Sequence, residues 1–288
     1  MRLALDPRRM IQCLKCRLNR GRSIDAKRVS RFLDGLSFSV TLLFFAKKAS
    51  FSSFRSWLLN ASFMAANNLI LSTVWVVLFS KGSSIGGWTL DDMFLLFGLS
   101  ACSFGVMEIL FAAYDQLPSL ITSGQINQFL LRPRPTLLLI LTSKVNASAW
   151  GDLASGIFLV SFSGALSWQE WILFPLLVIL ATAIYISAMV IFFSSAFWFE
   201  RSENFARVLW EAMLTFSLYP EGIFPFAVRA ITYTVLPSAF LVYVPVRILK
   251  EGMQSFWWLG LMTAVAIFWI WLALWVFKRG MRRYVARG

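Results

Sequence analysis

Residues 256–277 read FWWLGLMTAVAIFWIWLALWVF, and residues 278–288 continue with KRGMRRYVARG. The first stretch has no charged residue. A helix rises about 1.5 Å per residue, so about twenty apolar residues cross the roughly 30 Å hydrocarbon core of a bilayer. Lys and Arg directly after such a stretch indicate a cytoplasmic end. This part of the chain therefore predicts an integral membrane protein.

The composition agrees with that prediction. Hydrophobic residues make up 58% of the chain and charged residues only 14%, whereas about 25% of an average soluble domain is charged. The net charge of +13 raises the question of nucleic-acid binding. However, the basic segments alternate with apolar stretches, so cytoplasmic loops and anionic headgroups explain the charge better. We expect no nucleic-acid partner.

The apolar stretches predict an all-α membrane protein with six spans. Residues 1–30 form a basic cytoplasmic arm, 31–279 the transmembrane domain and 280–288 a basic tail. An interfacial helix is predicted over 29–54, with a full span as the alternative. The predicted spans are 56–79, 91–114, 147–166, 171–198, one that begins near 205, and 255–277. Asp91 and Asp92 open the second span, where the helix dipole favours carboxylates.

The region before the last span is broken by prolines. Two prolines flank a glycine in YPEGIFP at 219–225, which should interrupt the fifth helix. The apolar segments 226–236 and 238–249 are each about half a bilayer long, so we predict re-entrant or interfacial helices on the outer side. The residues that define this outer re-entrant segment are Tyr219, Pro220, Gly222, Pro225, Pro237 and Pro245.

The distribution of cations supports this topology. With both termini in the cytoplasm, all but four of the 27 Lys and Arg residues lie on the cytoplasmic side. The four exceptions are Lys81, Arg229, Arg247 and Lys250. Several tryptophans also fall near the predicted span ends, where aromatic belts form.

Some polar residues lie inside the predicted spans, where a charge costs about 2.5–3.5 kcal/mol on insertion scales. Asn60, Asn67 and Asn68 are expected to hold helices together. Glu108 is the candidate for a carboxylate of the transport pathway or of a dimer interface. Asp152 and Glu211 are expected near the cytoplasmic edge, where water can solvate them. For each of these residues a purely structural role is favoured over contact with a substrate.

The sequence argues against metal binding and catalysis. It contains no His, and the pair Cys13 and Cys16 offers two of the roughly four ligands that zinc needs. No nucleophile constellation is recognisable. No GxxxxGK[ST] phosphate loop occurs either, so we expect neither an enzyme, nor an ATPase, nor a metal site.

Residues 121–133, ITSGQINQFLLRP, predict a short helix after a Ser-Gly break, ended by Arg-Pro. Ile126, Phe129 and Leu130 follow i, i+3, i+4 spacing and would form an apolar face. Such a face either docks into the groove of a partner or lies among lipid headgroups. The residues alone leave both interpretations open.

The pattern Ser-Gly-x-Ile-x-x-Phe-Leu-Leu-Arg-Pro at 123–133 resembles the signature of bacterial type-2 ABC exporter permeases. The segments GGWTL at 86–90, LPSAF at 236–240 and YVP at 243–245 are similar to further segments of that family. The resemblance covers roughly residues 30–280. The long N-terminal arm and Arg134 depart from the pattern.

The resemblance implies a permease subunit of an ATP-driven exporter for an amphipathic or lipid-like substrate, in the bacterial inner membrane. It implies pairing with a second copy or a sister permease, and with two subunits that bind ATP and Mg, so the chain itself needs no cofactor. The residues implied to couple it to the ATPase are Gly124, Gln125, Ile126, Asn127, Phe129, Leu130, Arg132 and Pro133. A secondary transporter or membrane scaffold that works without an ATPase is the alternative.

Overall fold

The computed structural model of this protein describes residues 54–80, 84–132, 135–199, 202–252 and 256–287. The predicted arm, nearly all of the predicted interfacial helix and Pro133 lie outside the described residues. Within them the chain is helical, apart from turns and an isolated antiparallel bridge between Ile85 and Trp88. The predicted all-α class is confirmed.

Twelve α-helices follow one another in the described part of the chain. They are α1 (Phe54–Phe79), α2 (Leu90–Phe111), α3 (Leu117–Thr122), α4 (Asn127–Leu130), α5 (Thr136–Leu141), α6 (Ala149–Ser163), α7 (Trp168–Phe193), α8 (Glu203–Ser217), α9 (Phe226–Thr234), α10 (Ser238–Leu241), α11 (Tyr243–Glu251) and α12 (Phe256–Arg287). Short 3₁₀ turns lie at Ala112–Gln116, Ser194–Phe197 and Glu221–Ile223.

Four described segments are long and apolar enough to cross a membrane: Phe54–Phe79, Leu90–Thr122, Trp168–Phe197 and Phe256–Ala286. The pair Phe226–Thr234 and Ser238–Glu251 is bent by 68° and would add a fifth crossing if counted as one broken span. The third and fifth predicted spans correspond to α6 and α8, which have 15 residues each. At about 22 Å these helices are shorter than the hydrocarbon core, so the count of six stays a prediction.

Two of the long helices begin with a capping box, in which side chain and backbone satisfy each other's free polar groups. At the start of α2 the Thr89 amide donates to Asp92 Oδ2 at 2.9 Å, and Thr89 Oγ1 accepts from the Asp92 amide. Ser167 and Glu170 form the same arrangement at the start of α7. The predicted role of Asp92 at a helix N-terminus is confirmed.

Small residues bring α2 and α6 into backbone contact. A side chain built on Gly98 would lie 2.7 Å from the Gly156 carbonyl, and one on Gly156 would lie 2.6 Å from Cys102 Sγ. On the other face of α6, a side chain on Gly151 would overlap the Ala61 carbonyl of α1. Close approach of this kind, rather than bulky apolar contact, is how membrane helices associate.

Candidate functional site

Residues 124–132 form a turn and one short helix, called here the coupling segment. Gly124 has φ of +72°, a left-handed conformation that glycine adopts without steric cost. The amide of Ile126 then donates to the Leu120 carbonyl at 3.0 Å, so the chain folds back onto α3 before α4 begins at Asn127. The predicted Ser-Gly break followed by a short helix is present.

The side chains of the coupling segment divide between the interior and the surface. Ile126 has no exposed surface, whereas Leu130 is 37% and Leu131 is 87% exposed. Phe129 is half-buried against the hydrophobic core. The predicted docking face therefore points partly inward, and Leu131 is the apolar side chain most available to a partner. The polar residues exposed beside it are Gln125, Asn127, Gln128 and Arg132.

An aromatic cluster joins the coupling segment to the C-terminal half of α12. A side chain built on Gly124 would come within 3.7 Å of the Tyr284 hydroxyl. The Tyr284 ring packs on Phe197 with centroids 6.3 Å apart, and Phe197 packs on Phe277 at 5.7 Å. A side chain on Gly280 would overlap the Phe197 ring, so α12 lies directly on it. Gly124 of the coupling segment thus lies beside Tyr284 near the C-terminal end of α12.

Glu108 lies near the same end of α2 and is 6% exposed. Tyr114 donates its hydroxyl to Glu108 Oε1 at 2.6 Å, and the Asn146 side-chain amide donates to Oε2 at 3.2 Å. The Asn146 oxygen accepts from the Ser148 amide at the start of α6. Buried polar groups that are satisfied in this way hold elements together. The geometry favours the structural role for Glu108.

Asn68 provides a second polar contact between helices, linking α1 to α6. Its side-chain amide donates to Asp152 Oδ1 at 2.8 Å and to Ser155 Oγ at 2.9 Å. The prediction that Asp152 is solvated is wrong: it is 3% exposed, because α1 covers this face of α6. Glu211 is exposed, as expected.

The three asparagines of α1 do not share one role. Asn68 is half-buried and contacts α6, whereas Asn60 and Asn67 are exposed. Because a helix turns about 100° per residue, Asn67 points away from the contact that Asn68 makes. Asn60 and Asn67 therefore lie on a face of α1 that the described residues leave exposed.

The predicted outer segment forms a cap of short helices at the end of the molecule opposite the coupling segment. Tyr243 Oη lies 2.5 Å from the Phe216 carbonyl and 2.8 Å from the Tyr219 carbonyl. Gly222 packs against Gly86, where any side chain would overlap the backbone. Pro220, Pro237 and Pro245 are buried, while Tyr219 and Pro225 are exposed.

Two ion pairs fasten this cap. Glu221 Oε1 lies 3.2 Å from Arg247 and Glu221 Oε2 accepts from the Tyr233 hydroxyl at 2.7 Å. Lys250 on α11 pairs with Asp92 on α2 at 2.9 Å. Sequence reasoning missed these partners, as it missed Tyr114, Asn146 and Tyr284. Of these residues, only Glu221 could have been identified in the sequence, because it is the acidic residue between two helix-breaking prolines.

Among the residues that the structure describes, no three His, Cys, Asp or Glu side chains are grouped so that they could hold a metal ion. At the coupling segment the exposed Leu131 lies a few residues after the buried Ile126.

Comparison with known proteins gives one family. The family model described as ABC-2 family transporter protein matches residues 64–288. That range includes the coupling segment, the buried polar contacts and the capping helices. No curated protein and no solved structure matches the chain.

Proposed function

The chain belongs to the family of ABC-2 transporter proteins, and we propose that it is the membrane subunit of an ATP-driven exporter that receives mechanical work at its coupling segment. Family membership makes it a multi-pass membrane subunit of an ABC transporter, a class that partners with an ATP-binding subunit. In the proposal, two such subunits bind ATP and Mg, and this chain moves an amphipathic or lipid-like substrate across a bacterial inner membrane.

One observation carries the proposal: an exposed leucine in the coupling segment lies close to an isoleucine that anchors the same segment in the protein core. Leu131 is 87% exposed and Ile126 is fully buried. Single exposed leucines are common on protein surfaces. Here, however, the neighbouring turn is hydrogen-bonded to α3 through the Ile126 amide, and its Gly124 lies beside Tyr284 of α12. A displacement of Leu131 would therefore be transmitted to α12 through the contact of Gly124 with Tyr284, whose ring packs on Phe197.

The charge around the coupling segment supports a cytoplasmic position. Lys278, Arg279, Arg282 and Arg283 are all exposed on the adjacent part of α12. At the opposite end, Arg247 and Lys250 are paired with acidic side chains. Among these described residues, cations without an acidic partner thus lie mainly at the end that carries the coupling segment, with Arg229 of the cap as an exception. The positive-inside rule assigns such an end to the cytoplasm.

The open face of α1 supports pairing with a second permease subunit. Only 17% of the most apolar stretch of α1 is buried within the chain, and the exposed face carries Asn60 and Asn67. Amides at bilayer depth are stabilised by partners across a helix interface. A second copy or a sister permease would supply such partners.

The test is co-purification of an ATP-binding subunit from the native host, identified by mass spectrometry, with the tagged native protein and with Leu131→Asp. We expect the variant to lower association roughly tenfold, equivalent to about 1.4 kcal/mol, because the proposed complex would have to bury a charge where it otherwise buries an apolar side chain. Phe226→Asp is the matched control, since Phe226 is 85% exposed on the cap at the opposite end.

Equal loss of the ATP-binding subunit in both variants would contradict docking at the coupling segment. If the native protein retains no ATP-binding subunit and transport persists without ATP, the secondary transporter replaces the proposal.

A further inference from the structure

A cavity of about 290 Å³ opens between α7, α11 and α12 at the end opposite the coupling segment. Its walls are mainly aliphatic, with Leu173 and Leu176 from α7, Ile248 from α11 and Leu259 from α12. The volume is about twice that of an engineered apolar cavity of about 150 Å³ that admits benzene. An apolar space of this size suits a hydrocarbon ligand.

The position of the cavity points to a lipid acyl chain. Trp168 and Trp257, which are 70% and 75% exposed, lie at the starts of α7 and α12 on either side of it. Exposed tryptophans at span ends lie at the level of the headgroups. Along α7 below Trp168, Ile172 is 69% and Leu176 is 44% exposed. The cavity therefore runs from headgroup depth into the hydrocarbon and is open to lipid from the side.

The rim of the cavity carries negative charge. Glu170 Oε2 accepts from the Ser167 amide at 2.7 Å as part of the α7 cap. The other oxygen, Oε1, faces Gly252, where an added side chain would come within 3.7 Å of it. Gly252 ends α11, and the last carbonyls of a helix carry a partial negative charge. Glu170 and the C-terminus of α11 thus face the same opening.

Two described cations of α11 near this rim, Lys250 and Arg247, already have partners. Lys250 pairs with Asp92 at 2.9 Å. Arg247 pairs with Glu221 at 3.2 Å and stacks over the Trp258 ring at 4.9 Å. Their charges are therefore largely compensated within the cap. The rim favours an ammonium group over an anionic one.

We propose that this cavity binds a phospholipid with a primary-amine headgroup, with one acyl chain between α7, α11 and α12 and the ammonium at Glu170 and the end of α11. The inference goes beyond the proposed coupling function and does not depend on an ATP-binding partner. It assigns a ligand class to a site at the opposite end of the protein.

The experiment uses the full-length protein reconstituted in liposomes with trace phospholipids that carry a photoactivatable diazirine in the acyl chain. Phosphatidylethanolamine, phosphatidylcholine and phosphatidylglycerol probes are compared, and labelled peptides are mapped by mass spectrometry. We expect labelling at residues 169–176 and 256–259, several-fold stronger with the ethanolamine probe than with the glycerol probe. Leu173→Trp, which fills the cavity, should reduce this labelling several-fold.

Ile179→Trp is the matched control, because Ile179 is 61% exposed on α7 and does not line the cavity. Glu170→Gln tests the headgroup separately: glutamine still completes a capping box, but the preference for ethanolamine over glycerol should fall at least threefold. The site would be overturned if no residue of the cavity were labelled. It would also be overturned if labelling were uniform along α7 and Leu173→Trp left it unchanged. Unchanged selectivity in Glu170→Gln would overturn the assigned headgroup.

Discussion

The four long helices of this protein form two contrasting pairs. In Leu90–Thr122 and Trp168–Phe197, 72% and 67% of the most apolar stretch is buried inside the chain. In Phe54–Phe79 and Phe256–Ala286 the corresponding shares are 17% and 22%. We call the first two the inner pair, because most of their apolar stretch is buried within the protein, and the last two the outer pair. All four are apolar enough to cross a bilayer, so apolarity does not distinguish the two pairs.

The contrast has a physical origin in the solvent. Lipid tails are as apolar as leucine, so an apolar side chain gains little by moving from lipid to protein. In the described part of the chain, α2 packs against both α6, which Gly98 and Gly156 let it approach closely, and α7. In contrast, α1 packs mainly on α6, which it approaches closely at Gly151. The outer helices α1 and α12 have surfaces left for lipid or for another subunit.

The strongest test of this contrast replaces a glycine at the inner contact. Gly156→Leu should lower the free energy of unfolding by about 1–3 kcal/mol or more, because the added side chain meets Cys102 and the Gly98 carbonyl and forces the helices apart. Denaturant titration in detergent measures the change. Gly260→Leu in α12 is the control, since a side chain there meets nothing within 4 Å. Similar losses in both variants would remove the distinction between the pairs.

A smaller effect is expected from the buried carboxylate of α2. Glu108→Leu should cost about 1–3 kcal/mol, because it leaves the buried Tyr114 hydroxyl and the Asn146 amide without their acceptor. Thermal unfolding in detergent checks this. The exposed Glu211 in α8 gives the comparison: Glu211→Leu should change the unfolding temperature little. Full stability of Glu108→Leu would mean that the network does not hold the inner helices.

The smallest effect concerns the two faces of α1. Asn68→Leu should cost on the order of 1 kcal/mol, because it loses two hydrogen bonds, to Asp152 and Ser155, and one hydrogen bond between membrane helices contributes about 0.6 kcal/mol on average. Asn67→Leu should leave the stability of the single chain unchanged but weaken its pairing with a second permease subunit. Cysteine cross-linking along the exposed face of α1 measures that pairing. Unchanged cross-linking in Asn67→Leu would indicate that this face contacts lipid.

Much of the fold could be predicted from residue patterns. The predicted spans 56–79 and 91–114 end within a few residues of α1 and α2, because apolar length and capping carboxylates are local signals. The last helix differs: apolar character ends at Phe277, but α12 continues to Arg287. In this extension Gly280 and Tyr284 contact Phe197. Such contacts between distant residues cannot be predicted from the apolar character of neighbouring residues.

The coupling segment shows the same division. Its Ser-Gly break and short helix follow from backbone preferences that can be read in order along the chain. The burial of Ile126 and the exposure of Leu131 could not be predicted, because both belong to apolar runs and their orientation depends on α3 and α12.

The amino-acid sequence by itself determined that the chain is a membrane protein and where its long helices begin. It also determined that residues 123–133 resemble a signature of type-2 ABC permeases. Those properties depend on transfer to hydrocarbon and on short-range backbone chemistry, which act on neighbouring residues. Only the tertiary structure decided that Asp152 is buried, that Asn67 and Asn68 face different surroundings and that a cavity opens beside Glu170. Each of these depends on which helix lies opposite, and in hydrocarbon that choice is made by shape and hydrogen bonding rather than by apolarity.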